Sequence, residues 1–241
     1  MNKSLTEVAA ILDMSGSMEV VTEDSIGGFN TFVEKQREEP GECRMTVVLF
    51  NSNEHRKWVD GKSVRDVPKL TKDTYRATGN TPLLDSVGRT INELGAKLDK
   101  MTETDRPGKV IVIVITDGME NASTEFTRAR IREMIRHQEE KYSWTFLYLG
   151  ANQDAFAEAS SIGIQYCNSA NYVNTPRGLR HAYRAMNFAV SSGRAGGQCV
   201  GLGRDIGEEE PVITTSVTPP APPAPAPSAV PDPKSKKSKR R

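Results

Sequence analysis

Residues 109–116 read K-V-I-V-I-V-I-T, six consecutive β-branched apolar residues with no polar residue among them. A half-buried strand alternates apolar and polar side chains, and this one does not. Both of its faces must be covered, as in a central strand of a sheet packed by helices on either side. The stretch ends in T-D-G at 116–118, so a carboxylate stands where the strand stops.

Working outward, apolar runs at Leu5–Leu12, Cys43–Phe50 and Trp144–Leu149 read as further strands. Between them lie segments with helical spacing. Ser25–Gln36 carries Ile26, Phe29 and Val33. The segment opening at Thr81-Pro82 carries Leu83, Leu84, Val87, Ile91, Leu94 and Leu98, with Thr81 as a candidate N-cap and Pro82 at the first helical position. Thr124–Lys141 reads as a charged amphipathic helix, Leu179–Ser191 as a final helix, Asp154–Ser161 as a helix with Asp154 either its cap or part of the site rim, and Ile164–Cys167 as a short strand. Arg56–Val59 and Lys62–Val67 flank Asp60-Gly61, which predicts a hairpin. Alternation of strands with helices predicts a doubly wound α/β domain, mostly parallel, with helices on both faces.

In such a fold, ligands sit beyond the carboxyl ends of the strands. There the chain places D-M-S-G-S at 13–17, directly after the first strand. If the strands ending at Asp13 and Asp117 are neighbours, their carboxylates converge, and a bound cation offsets both their repulsion and their desolvation. Ser15 and Ser17 add neutral oxygens, and Thr81, following the flexible Gly79-Asn80, presents another. The set Asp13, Ser15, Ser17, Thr81 and Asp117 is rich in oxygen and free of thiol and imidazole. That chemistry suits Mg2+, with Ca2+ or Mn2+ as substitutes. The plainer readings are a helix cap for Ser15, Ser17 or Thr81 and a turn for Asp117-Gly118.

D-M-S-G-S at 13–17, T-P-L at 81–83 and T-D-G at 116–118 together resemble the von Willebrand factor A-type (vWA) domain over about residues 5–192. The resemblance implies a six-stranded sheet with one antiparallel edge strand and an intact metal-ion-dependent adhesion site. It implies hydroxyl ligation by Ser15, Ser17 and Thr81, with Asp13 and Asp117 acting mainly through metal-bound waters. It also implies a protein partner whose Asp or Glu completes the metal shell. Intracellular and viral members of the family often work in multiprotein machines beside chaperone-like ATPases. A bacterial or phage accessory protein is the matching expectation.

No catalytic set stands out. Ser15 and Ser17 lie in no nucleophile elbow, and Gly201–Arg204 lacks the lysine and hydroxyl of a phosphate-binding loop. A non-enzymatic interaction module is the expected function. A metal-dependent phosphoester hydrolase is the weaker alternative, since no second acidic cluster accompanies the first. Asn80 and Asn121 flank ligand segments and read either as turn residues or as residues orienting site loops. Met14, Met18 and Met119 read either as an adaptable rim or as packing.

The chain has 241 residues, 37% of them hydrophobic, a mean hydropathy of -0.52 and a net charge of +1. Three separated cysteines argue against a disulfide framework. No run approaches the roughly 18 apolar residues of a membrane span, and the N-terminal residues lack a signal peptide's apolar core. Cytoplasmic location is the default expectation. The expected organisation is a vWA-like domain at 1–192, a glycine-containing and acidic transition at 193–218, a Pro/Ala-rich linker at 219–233 and a basic tail at 234–241. Residues 212–241 carry +5, leaving -4 on residues 1–211. The tail K-S-K-K-S-K-R-R supports a second expectation, weak contact with nucleic acid or another anionic surface.

Overall fold

The structure is a computed structural model, and it describes residues 1–151, 155–197 and 202. Six strands form one sheet in the order β3-β2-β1-β4-β5-β6. They are β1 (Asn2–Asp13), β2 (Glu42–Phe50), β3 (His55–Ser63), β4 (Pro107–Thr116), β5 (Thr145–Ala151) and β6 (Ser169–Tyr172). All neighbours pair in parallel except β2 and β3. This is the expected doubly wound, mostly parallel sheet with one antiparallel edge.

Helices α1 (Thr22–Glu38) and α5 (Pro176–Ala195) cover one face of the sheet. Helices α2 (Leu83–Asp99), α3 (Arg128–Tyr142) and α4 (Ala155–Ser161) cover the other. In β4 the side chains of Ile111, Ile113 and Ile115 join the α1/α5 core, while Val110, Val112 and Val114 join the α2/α3 core. The unbroken apolar run therefore follows from two-sided burial, at about 1.5–3 kcal/mol for each fully buried side chain.

Four local expectations are corrected. Asp60-Gly61 does not close a hairpin. It lies inside β3, where the pairing moves from Met45↔Lys62 to Val47↔Val59. The extra β3 residue makes a bulge, which Gly61 accommodates with φ at +59°. Ile164–Cys167 is not a strand. Ile164 is buried in a loop, a 3-10 turn spans Tyr166–Asn168, and the strand is the following Ser169–Tyr172.

The third helix starts at Arg128, because Thr127 caps it by accepting from the Arg130 N–H. The last helix runs from Pro176 to Ala195, capped by Thr175 and ended by Gly196 at φ +109°. Asp154 and Cys199 lie outside the described residues, as do nearly all of the predicted transition, linker and basic tail. Among the described residues, no helix is long and apolar enough to cross a membrane.

Candidate metal centre

β1 and β4 are adjacent and parallel, with Leu12 opposite Ile115. The chain winds one way from β1 to β2 and the other way from β4 to β5. The crevice beyond their carboxyl ends is thus the switch point of the sheet. Asp13 ends β1, and Asp117 follows Thr116 at the end of β4. Packing of these two strands brings together residues a hundred positions apart.

Asp13 is fully buried. Its Oδ1 accepts from the Ser15 N–H at 2.6 Å, and its Oδ2 accepts from the Thr116 hydroxyl at 2.6 Å. Burial pushes its carboxyl up to about 6. Those hydrogen bonds oppose the shift, and the nearby Asp117 charge adds to it. Asp117 is also raised by burial, while Ser17 and Asn174 hold it down. The Ser17 hydroxyl donates to Asp117 Oδ1 at 2.6 Å, and Asn174 Nδ2 donates to Asp117 Oδ2 at 2.7 Å. Ser15 Oγ and Ser17 Oγ lie 3.1 Å apart, and because Ser17 gives its hydroxyl hydrogen to Asp117, it accepts from Ser15. Ser15 caps no helix with its side chain.

Thr81 also departs from the capping expectation. Helix α2 begins at Leu83, and no side chain at the Pro82 cap position serves it. Its first amides are satisfied from the 117–126 loop instead: Glu120 Oε2 accepts from Leu84 N–H at 2.9 Å and Ser123 Oγ from Asp85 N–H at 3.0 Å. The Thr81 hydroxyl is thereby released from capping. Asn121 orients Thr81, accepting from its N–H at 2.9 Å and donating to its carbonyl at 3.2 Å. Asn121 is an orienting residue, while Asn80 joins the neighbouring loop through reciprocal bonds with Ser52.

Gly118 shows where the hydroxyls point. A Cβ there would lie 2.6 Å from Thr81 Oγ1 and 3.5 Å from Ser15 Oγ. Both hydroxyls stand against Gly118, and a side chain at 118 would collide with that of Thr81. All five predicted residues thus gather at the switch point. Asp13, Ser15, Thr81 and Asp117 are buried, and Ser17 is exposed at the lip.

The donor set fits a hard divalent cation. Neighbouring oxygens in an Mg2+ octahedron with bonds of about 2.0–2.1 Å stand about 2.9 Å apart. The contacts Ser17–Asp117 at 2.6 Å and Ser15–Ser17 at 3.1 Å bracket that spacing. Among the described residues, no three His, Cys, Asp or Glu side chains cluster as a metal site. The candidate centre is therefore two carboxylates supplemented by hydroxyls.

Several contributors escaped the sequence reading. Thr116 was read only as the strand's end, yet its hydroxyl holds Asp13. Asn174 reaches Asp117 from the loop before α5, a stretch the sequence reading did not single out. Tyr75 donates to the Asp13 carbonyl, and Tyr172 donates to the Thr116 carbonyl at 3.1 Å. Nothing in the spacing marks either tyrosine. Met14 and Met18 are core residues, and Met119 alone of the three is exposed.

No family model and no curated protein sequence matches the chain. Solved structures do. A von Willebrand factor type A protein from Catenulispora acidiphila is 16% identical with a TM-score of 0.51, covering 77% of this chain and 42% of that one. Proximal thread matrix protein 1 from the mussel byssus, with a zinc-occupied MIDAS motif, is 12% identical with a TM-score of 0.51, covering 79% and 47%. The SpRpn10 VWA domain is 10% identical with a TM-score of 0.51, covering 75% and 94%. The chain spans less than half the length of the first two. At these identities the likeness shows the fold, which is vWA-like.

Proposed function

We propose that the chain is a protein-interaction module whose site, formed by Asp13, Ser15, Ser17, Thr81 and Asp117, holds Mg2+ and receives an Asp or Glu carboxylate from a partner. The observation that carries this reading is the convergence of the Thr81 and Ser15 hydroxyls on Gly118, with Ser15 linked through Ser17 to the buried Asp117 carboxylate. The zinc-occupied MIDAS motif of the mussel protein is a precedent for an ion on this fold. Ca2+ or Mn2+ would be held by the same oxygens.

The residues divide the work. Ser15, Ser17 and Thr81 would offer neutral oxygens. Asp13 and Asp117 would supply the countercharge, at a site where burial makes charge costly without a cation. The ion supplies electrostatic attraction for an incoming carboxylate. Exposed Ser17 marks the side from which that group arrives. Binding without turnover is the better reading of the two serines. Their hydroxyls are tied to one another and to Asp117, with no histidine or cysteine among their hydrogen-bond partners in the described residues.

A pull-down with Mg2+, with EDTA and with Asp13→Ala tests the proposal. Partners recovered with Mg2+ should be lost in the other two arms. Identical recovery in all three sinks it.

A further inference from the structure

Away from the ion site, α1 and α5 leave an open groove of about 680 Å3 between them, predominantly apolar in lining. Phe32 and Tyr183 form its floor. Phe188, 46% exposed, stands on its α5 wall. Gly28 lets the helices approach closely, since a Cβ there would sit 2.2 Å from the Tyr183 ring. The charges around the groove are unequally matched. On α1, Glu23 pairs with Lys72, Asp24 with Arg180, and Lys35 with Glu38, while Glu39 at the end of α1 makes no ion pair among the described residues. On α5, Arg184 makes no ion pair among the described residues, and neither does Arg177 two turns earlier on the same face. The α5 wall thus offers an exposed aromatic ring beside the uncompensated Arg184, with Arg177 further along the same helix.

The chain carries a segment of complementary chemistry shortly after α5. Residues 206–213 read I-G-E-E-E-P-V-I, three consecutive carboxylates between apolar residues. Leu202 is buried in the core that α1 and α5 share, and its N–H donates to the Cys167 carbonyl at 3.0 Å. The segment therefore starts from a fixed point on the same face of the sheet. The eleven residues from Leu202 to Ile213 reach at most about 36–40 Å, more than the roughly 30 Å length of a 20-residue helix such as α5.

The geometry points to residues 206–213 of this chain as the occupant of the α1–α5 groove. Docked there, the Glu208, Glu209 and Glu210 carboxylates would offset the charge of Arg184 and Arg177, and the flanking apolar residues would shield Phe188. A tethered segment needs little intrinsic affinity, because its effective concentration at the groove is of millimolar order. This arrangement is independent of the ion site.

The test uses the full chain and amide hydrogen exchange, read for residues 206–213 and for the groove wall at 180–191. Three variants accompany it: Glu208→Lys/Glu209→Lys/Glu210→Lys, Arg184→Glu, and the two combined. Each single reversal should lower protection of 206–213 at least about fivefold, with the sheet unchanged, and the combination should restore part of it. Half-molar salt should weaken protection in the unaltered chain. Absence of protection at 206–213 in the unaltered chain overturns the inference, leaving the groove for an external partner. Protection that depends on protein concentration also overturns it, assigning the groove to a second copy.

Discussion

The Ser17 hydroxyl donates to Asp117 Oδ1 at 2.6 Å, joining the loop after β1 to the loop after β4. This bond makes the two halves of the candidate site one electrostatic unit. A cation bound there draws on both strands, so its binding should stabilise the whole fold. At one hundred times its Kd, Mg2+ should add about 2.7 kcal/mol, roughly 5–10 °C in Tm for a domain of this size. Calorimetry of unaltered protein and of Asp13→Ala, each with Mg2+ and with EDTA, checks this. Equal Mg2+ responses in both proteins count against the ion site.

The tyrosine beneath Asp13 should matter nearly as much as a ligand. Tyr75→Phe keeps the ring but leaves the buried Asp13 carbonyl without its donor, at a cost of about 1–3 kcal/mol. We expect a lower urea midpoint and weaker Mg2+ binding by titration calorimetry. Unchanged Mg2+ affinity in a folded variant would remove Tyr75 from the positioning role.

Asp85 anchors the loop that carries Asn121 and Glu120. Its carboxylate accepts from Thr124, Glu125 and Phe126 N–H groups at 2.8, 2.9 and 2.9 Å. Asp85→Ala orphans three amides together and should cost about 3 kcal/mol or more. Chemical denaturation measures the loss. A change below about 1 kcal/mol would mean that water replaces the carboxylate.

Glu7 is a buried carboxylate within β1, remote from the ion site. Its Oε1 accepts from Thr46, its Oε2 has no partner, and Lys97 stands 4.0 Å away. Burial raises its pKa above the ordinary 4.5. The folded state therefore holds this proton more tightly than the unfolded state. Its contribution to stability is fully present below pH 4.5 and is lost as pH rises through the folded value. Glu7→Gln should flatten that decline without destabilising the protein at neutral pH. Urea midpoints from pH 4.5 to 8 decide it, and parallel curves for the two proteins would refute it.

Two adjacent glycines of α1 should respond in opposite directions. Gly28→Ala drives a Cβ into Tyr183, whereas a Cβ at Gly27 meets nothing within 4 Å. We expect Gly28→Ala to cost about 1–3 kcal/mol and Gly27→Ala to gain up to about 1 kcal/mol. Thermal denaturation of the pair suffices, and a shared sign would contradict the packing described between α1 and α5.

The parts of this architecture legible in the sequence were those set by pattern. The V-I-V-I-V-I run of β4 declared a doubly covered strand, and D-M-S-G-S with T-D-G placed oxygens at two strand ends. The parts that stayed hidden depend on partners distant in the chain. Thr81 looked like a cap because T-P-L has cap chemistry. Only packing against the 117–126 loop gives that task to Glu120 and Ser123. Asp60-Gly61 looked like a turn because it has turn chemistry, and only pairing with β2 makes it a bulge. Ser169–Tyr172 is short and mixed in polarity, so the more apolar Ile164–Cys167 competed for the strand. Tyr75 and Tyr172 act through hydroxyls on main-chain carbonyls, which leave no periodic trace.

The two margins of the sheet bear on crowding. On one side β3 carries Arg56, Lys57, Asp60 and Lys62 and is kinked at Gly61. On the other, β6 is only four residues long. Among the described residues, neither margin offers a long, flat, uncharged template on which another chain could add a strand. Crowded copies of this fold would therefore meet edge to edge without a backbone route to polymerisation.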